Sequence, residues 1–505
     1  MRTSRGSLVV VIAALVSGAA PVVRAEPAEV SQKSFGSARQ ALDAAIAAHG
    51  GLDALRAVKD VQRTGSGTAY NQGQSLRPGT PYSTRPIAVK AVIDFAKGRS
   101  STETTTTPVG GIRTPGRSVL RGDDGFNLAL LTNVMTPLTA PGIAGAKTAL
   151  RRDPAALLLT AAGRAETLRD LGDATFDKRR HRVITFADSD GSQIALYLDA
   201  QSHRLAKFET LADNAVLGDQ LSEVVLSDYR AVSGVQLPFR AVTRVAGEVV
   251  QDLQFTEIRV NAGAAAAAFE PPAGAVAAKP VGGPTTVIAS KLADNVYFVE
   301  GSSHNSLAVV MADSILLIEA PLGDERSQAV IAKLAEIAPG KPVKAVVATH
   351  YHYDHSGGLR SYIARGATIY TTAGNRAFVT KLAATPHTIK PDALSRTPAA
   401  PSIEIVAGKK VLGDAAHPVE LYDVGPSPHI DEMLVAYLPR DKVLYVADLI
   451  TIPPQGPIAP GTAVNRALSD KLKKLGLDIQ AIAPAHGRMG TMQDLQKALD
   501  TPAPN

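Results

Sequence analysis

The stretch Thr349-His350-Tyr351-His352-Tyr353-Asp354-His355-Ser356-Gly357-Gly358 constrains this chain more than any other. Three histidines and one aspartate fall within six residues. The run before them, Val343 to Ala348, is apolar and reads as a buried strand, and Leu359 to Ile363 reads as the start of a helix. A strand that ends in a dense cluster of nitrogen and oxygen ligands points to a metal site. His350 and His352 are two residues apart, so in an extended or tight loop both imidazoles face the same way. Asp354 and His355 then reach a second position beside the first. Zinc binds His nitrogen and Asp oxygen at about 2.0–2.2 Å. Four ligands packed this closely cannot all serve one tetrahedral ion without strain, so they read as parts of two ion sites.

His-x-His-x-Asp-His followed by Ser356-Gly357-Gly358 resembles the signature of the metallo-β-lactamase fold superfamily, whose members are mostly zinc hydrolases. The resemblance extends from about Thr285 to the C-terminus. It implies a four-layer αββα sandwich, each half a sheet with helices outside. The strand pattern Val296–Val299, Ser306–Met311 and Ser314–Ile318, then a helix Glu325–Ile337, suits that order. Three further ligands are implied at the ends of later strands. His429 follows Tyr422-Asp423-Val424-Gly425-Pro426; Asp448 closes the buried run Val443–Ala447; His486 closes Ile482–Ala485. Relatives usually carry glycine where this chain has Ala447, and aspartate where it has Glu319, which reads as a supporting residue and not a ligand. His304, His387 and His417 match no ligand position.

The implied site places His350, His352 and His429 around one metal and Asp354, His355 and His486 around the other, with Asp448 bridging. Two ions about 3.5–4 Å apart hold a hydroxide between them at neutral pH. No Ser or Cys nucleophile is needed, and Asp354 is the candidate for holding and orienting the attacking water. Zinc is the expected metal, two per chain; the all-His/Asp donor set also admits iron or manganese. The expectation is a hydrolase for an ester, lactone, thioester or amide bond. The bridging Asp448 sets the chain apart from zinc β-lactamases, which generally lack it. An iron-dependent oxidoreductase resembling sulfur dioxygenases, or a β-lactamase, is the alternative. The loops Ala384–Pro398 and Pro453–Pro460 are expected to line the substrate pocket. The stiff, apolar second loop favours a hydrophobic small-molecule substrate, and an apolar half-barrel in the N-terminal part would hold an acyl-bearing one beside the metal site.

Residues 1–284 precede this part. Met1-Arg2-Thr3-Ser4-Arg5, an apolar core Leu8–Val16 and small residues up to Ala25 read as a secretory signal with cleavage after Ala25. With no cysteine in the chain, the expected compartment is the periplasm or the exterior, without disulfides. The net charge of +6 is scattered, which argues against nucleic acid as a partner, and no later stretch is apolar enough for a stable membrane span. Residues 26–268 read as a β-rich accessory domain. A helix, Ser37–His49, stops at Gly50-Gly51, and from Arg182 hairpin follows hairpin. The motifs His49-Gly50-Gly51-Leu52-Asp53-Ala54-Leu55 and Gly234-Val235-Gln236-Leu237-Pro238 resemble periplasmic lipoprotein-carrier-like domains, an open antiparallel half-barrel over helices. Residues 269–284, rich in Ala, Gly and Pro, read as the linker to the catalytic domain, 285–505. The fold class expected overall is therefore α+β.

Overall fold

The computed structural model describes residues 27–107, 113–278, 283 and 285–501. The export signal read at Met1–Ala25 lies outside the described residues. Among the described residues, no helix is long and apolar enough to cross a membrane.

In the N-terminal part, Pro27–Ala48 is helical and buries Ala38, Leu42, Ala45 and Ile46, the spacing of one helix face. That face meets Leu157, Leu158 and Ala161 of a second helix, and Leu226, Val235, Leu237 and Ile258 of the sheet. The sheet has fourteen strands among the described residues. Its centre joins early chain to late: Asp60–Tyr70 pairs antiparallel with both Thr84–Asp94 and Glu248–Val260. The outer strands, Arg169–Phe176 and Val276–Ala277, do not pair with each other, so the sheet stays open. An open antiparallel sheet with helices against one face is the architecture expected of this half.

The stretch that reads as linker begins differently. Phe269 is fully buried against Val119, Phe126 and Leu128, with the Arg99 guanidinium 4.1 Å from its ring centre. Val276–Ala277 then adds to the sheet edge, parallel to Val134–Pro137. One aromatic side chain that fills a pocket outweighs the Ala/Gly/Pro composition around it, and the chain is tied to the sheet as far as Ala277.

The C-terminal part has two sheets packed face to face. Among the described residues, seven strands run from Ile288–Ala293 to Ser402–Ile405, and five from Lys409–Leu412 to Ala481–Pro484. Alternation along single strands sorts side chains between layers. In Ser306–Val310, Leu307 and Val309 face the other sheet, whereas Ala308 and Val310 face outward. In Ile315–Ile318, Leu316 and Ile318 face inward and Ile315 and Leu317 outward. Helices Asp324–Ile337, Leu359–Ile363 and Arg376–Ala384 cover the outer face of the larger sheet. Ala463–Leu475 and Met492–Asp500 pack through Leu468, Leu472 and Leu495 against the smaller one. The result is the αββα sandwich.

The two parts dock through a segment that sequence reasoning assigns to the substrate pocket. In the loop 384–398, Thr388 and Ile389 donate backbone N–H groups to the Asp219 carboxylate at 2.8 and 3.0 Å, and His387 lies 3.2 Å from Asp213. A loop that must satisfy carboxylates of the neighbouring sheet is held as a domain clamp.

Candidate metal centre

Every candidate ligand sits at the C-terminal end of a strand or just after it. Val343–Val347 delivers the chain to His350. At His352 the backbone turns into the short helix Tyr353–Ser356, and the N–H groups of His355 and Ser356 both donate to the His352 carbonyl at 3.0 Å. The glycines that follow are required by crowding. A Cβ on Gly357 would lie 2.2 Å from the Leu322 carbonyl oxygen, and one on Gly358 2.3 Å from Ser327 Oγ. This close packing presses the metal loop against the strand ends beside it. Asp448 follows Ala447, which is held at a left-handed φ of 46°. That conformation costs a non-glycine residue about 1–2 kcal/mol, which is a physical reason for glycine to be usual there.

The side chains converge in two groups. One donor atom from each of His350, His352, His429 and Asp448 lies within 4.8 Å of all the others, and the same holds for His304, Asp354, His355 and His486. Asp448 stands between them. Its Oδ2 is 3.4 Å from His429 Nε2 and 4.0 Å from His350 Nε2, and its Oδ1 is 3.0 Å from His355 Nε2 and 3.1 Å from His486 Nε2. All seven residues singled out from the sequence thus come together, with one carboxylate oxygen turned to each group.

A model of the metallo-β-lactamase superfamily matches residues 300–486. The C-terminal domain is a metallo-β-lactamase-fold domain. Solved structures with similarity to the chain include a metallo-β-lactamase from Pontibacter korlensis, 19% identical, covering 42% of this chain and 97% of that one with a TM-score of 0.34. The metallo-β-lactamase FIM-1 from Pseudomonas aeruginosa in its mono-zinc form is 21% identical, covering 44% and 96% with a TM-score of 0.33. Among curated proteins, the alkyl/aryl-sulfatase BDS1 of Saccharomyces cerevisiae is 31% identical over 74 residues, which span 14% of this chain and 12% of that protein.

Within this metallo-β-lactamase-fold domain, the histidines are oriented from behind. His350 Nδ1 donates to the Thr349 hydroxyl at 2.9 Å, which donates to Glu319 Oε2 at 2.7 Å. His355 Nδ1 lies 3.3 Å from the same Glu319 oxygen, and His486 Nδ1 donates to the Ser303 carbonyl at 2.9 Å. His352 is held by its other nitrogen, Nε2, which donates to the Ser75 carbonyl at 3.0 Å. Each bond on one ring nitrogen turns the opposite nitrogen to the site, where it offers a lone pair once it is deprotonated. Glu319 is fully buried behind the rings: its Oε2 serves Thr349 and His355, while its Oε1 has no hydrogen-bond partner among the described residues, and Glu319 with His350 and His355 forms a third, smaller donor group.

Among the described residues, the buried side-chain atoms that make no hydrogen bond test whether metal fits. They include His350 Nε2, His352 Nδ1, His355 Nε2, His429 Nε2 and Asp448 Oδ1, the atoms that face inward. A buried polar atom left unpaired costs about 1–3 kcal/mol, and five such atoms aimed at one space fit divalent cations with nitrogen and oxygen preference. Protonation agrees in part. Burial, with neighbouring histidines adding to it, pushes His350 well below its ordinary value and His352 down to about 3, so both are neutral ligands near pH 7. Burial opposes the charge on Asp448, yet His355, His429 and His486 outweigh it and hold the carboxyl well below the usual range. Asp354 is likewise lowered, to about 2, by His304 and His355 against its burial.

His304 is the residue that sequence reasoning set aside. Its Nε2 lies 3.3 Å from Asp354 Oδ2, and its ring centre is 4.2 Å from that of His486. A lone histidine before Asn305-Ser306 carries no ligand spacing, so only the fold brings it in. His387 and His417 lie elsewhere: His387 serves the domain contact, and His417 is 3.6 Å from Asp414.

Proposed function

We propose that this chain is a hydrolase with two metal ions, zinc by preference, that cleaves an ester, lactone, thioester or amide bond. The observation that carries this reading is Asp448, which turns one oxygen to each of two ligand groups. His350, His352 and His429 with Asp448 Oδ2 would hold one ion. Asp354, His355 and His486 with Asp448 Oδ1 would hold the other, with His304 beside them. When bound, the ions supply a hydroxide nucleophile at neutral pH and polarise the scissile carbonyl. Asp354, ionised and fixed by His304, orients the attacking water. Export to the periplasm or exterior is part of the proposal and rests on Met1–Ala25 and the lack of cysteine.

A second substrate class has a specific observation behind it. The short match to an alkyl/aryl-sulfatase makes a sulfate ester worth testing beside carboxylic esters.

The test is turnover of an aryl ester, an acyl-homoserine lactone, a thioester, an aryl sulfate and nitrocefin. Each is assayed before chelation, after it and after metal is restored. Chelation should remove activity by at least about a hundredfold, and zinc should restore it, since both the nucleophile and the charge stabilisation depend on the ions. Recovery with iron alone would favour the oxidoreductase reading. Turnover of nitrocefin alone would favour a β-lactamase. Purified protein that binds no metal would end all of these readings.

A further inference from the structure

The loop 71–83 joins Asp60–Tyr70 to Thr84–Asp94, two strands at the centre of the N-terminal sheet. It leaves that sheet and lies against the metal loop of the other domain. Tyr353 N–H donates to the Gly73 carbonyl at 3.2 Å and Asp431 N–H to the Leu76 carbonyl at 2.8 Å. The Ser75 carbonyl accepts two bonds, from the Tyr351 hydroxyl at 2.8 Å and from His352 Nε2 at 3.0 Å. Gln74 Nε2 donates to Asp354 Oδ1 at 2.6 Å. Arg77 pairs with Asp431 at 2.6 Å, next to His429-Ile430. The loop is also braced internally. Ser83 N–H donates to Ser75 Oγ at 2.7 Å, Asn71 N–H donates to the Ser83 carbonyl at 2.9 Å, and Asn71, Gln72 and Ser75 are buried. At Gly73 a Cβ would lie 2.6 Å from the Tyr353 ring, so glycine allows the close approach.

These bonds reach both ligand groups: Ser75 holds His352 of the first, and Gln74 holds Asp354 of the second. We propose that Gln74 and the Ser75 carbonyl are positioning groups for the two metal positions, so that the N-terminal domain completes the site. The inference rests on the dinuclear reading above. The Ser75 carbonyl fixes the His352 proton on Nε2 and so turns the Nδ1 lone pair to the first position. The Gln74 amide takes one oxygen of Asp354 while His304 takes the other, which fixes the carboxylate plane at the second. Partners of this kind behind a ligand typically matter about 10–100-fold in metal affinity.

The test is binding of zinc and of cobalt to the full chain. Metal affinity is read by competition with a chromophoric chelator, and ligand geometry by the visible cobalt bands. Gln74 is exposed, so its substitutions should fold. Gln74→Met keeps much of the side-chain length and loses the donor; Gln74→Ala loses both. Wild type should take two ions. Both Gln74 variants should bind the second ion about 10–100-fold more weakly and change the cobalt bands, with the melting temperature of the metal-free protein unchanged. Gly73→Ala, which pushes the loop off Tyr353, should weaken both positions. Gln74 variants with wild-type affinity for both ions and an unchanged cobalt spectrum would overturn the inference and leave the hydrolase reading standing. A wild-type chain that binds neither metal would overturn both.

Discussion

Asp448→Asn should lower kcat/KM on the chain's substrate by about a thousandfold or more, with loss of at least one bound ion. Metal ions contribute several kcal/mol to the transition state of such hydrolyses, and about 4 kcal/mol corresponds to a thousandfold at 1.36 kcal/mol per factor of ten. Asp448 concentrates that contribution because its oxygens lie 3.0–3.4 Å from His355, His486 and His429. The amide has almost the shape of the carboxylate, so the variant separates charge from packing. It removes a buried negative charge while four histidines remain around it. Burial alone would lower His355, but the carboxylates of Asp448 and Glu319 outweigh it and hold the imidazole well above its ordinary value. Removal of Asp448 should therefore unbalance the second group most. Metal content and kcat/KM measured on the same preparation check this. Two ions with near wild-type turnover in Asp448→Asn would exclude a bridging role. His304→Ala is the useful contrast: its contact runs through Asp354, so its loss should be nearer tenfold.

The parts of the site that could be read from sequence share a physical property. His350, His352, Asp354 and His355 are close in the chain, so their spacing alone brings them together. His429, Asp448 and His486 lie far apart, but each follows or closes an apolar run, and strand ends in stacked sheets share an edge. The groups that escaped have neither signal. His304 is single and local to nothing. Gln74 lies 280 residues from the Asp354 it contacts, in a loop whose residue types read as turn. The contact that the loop 384–398 makes with the other domain is hidden for a related reason. The loop's composition says only that it is surface, and which surface it meets is decided by Asp213 and Asp219 on a distant hairpin. Phe269 shows the limit of composition from the other side, since a single ring sets the course of an Ala-rich stretch. The open N-terminal sheet was legible as hairpins, because alternation and turn residues are local; its pairing of Asp60–Tyr70 with Glu248–Val260 is not.

Disruption of the buried pair Arg360–Asp392 should cost about 3–5 kcal/mol, because truncating one partner leaves an uncompensated buried charge. Arg360 lies two residues beyond Gly358, so it fixes the helix on which the metal loop ends. Its side chain is almost fully buried. Nη1 donates to the carbonyls of Leu382, Ala383 and Thr385 at 2.8, 3.0 and 3.0 Å, and Nη2 to Asp392 Oδ1 at 3.1 Å. Nε meets the other Asp392 oxygen. Asp392 also caps the next helix, accepting from Ser395 N–H at 2.8 Å. Burial opposes its charge, but Arg360 and Ser395 outweigh that and hold its pKa at about 2. An unfolded aspartate titrates near about 3.9. The folded value is the lower one, so this stabilisation is complete above about pH 4 and is lost as pH falls toward 2. Denaturant unfolding of wild type and Asp392→Asn should show the widest gap near pH 7, narrowing across that acid window. A gap that is constant from pH 7 to 2 would mean that the carboxylate charge contributes nothing. Arg360→Ala should also free the loop 384–398, whose Thr388 and Ile389 hold Asp219 of the other domain. Metal affinity should then fall together with stability, because this clamp and the Gln74–Asp354 bond join the same two parts of the chain.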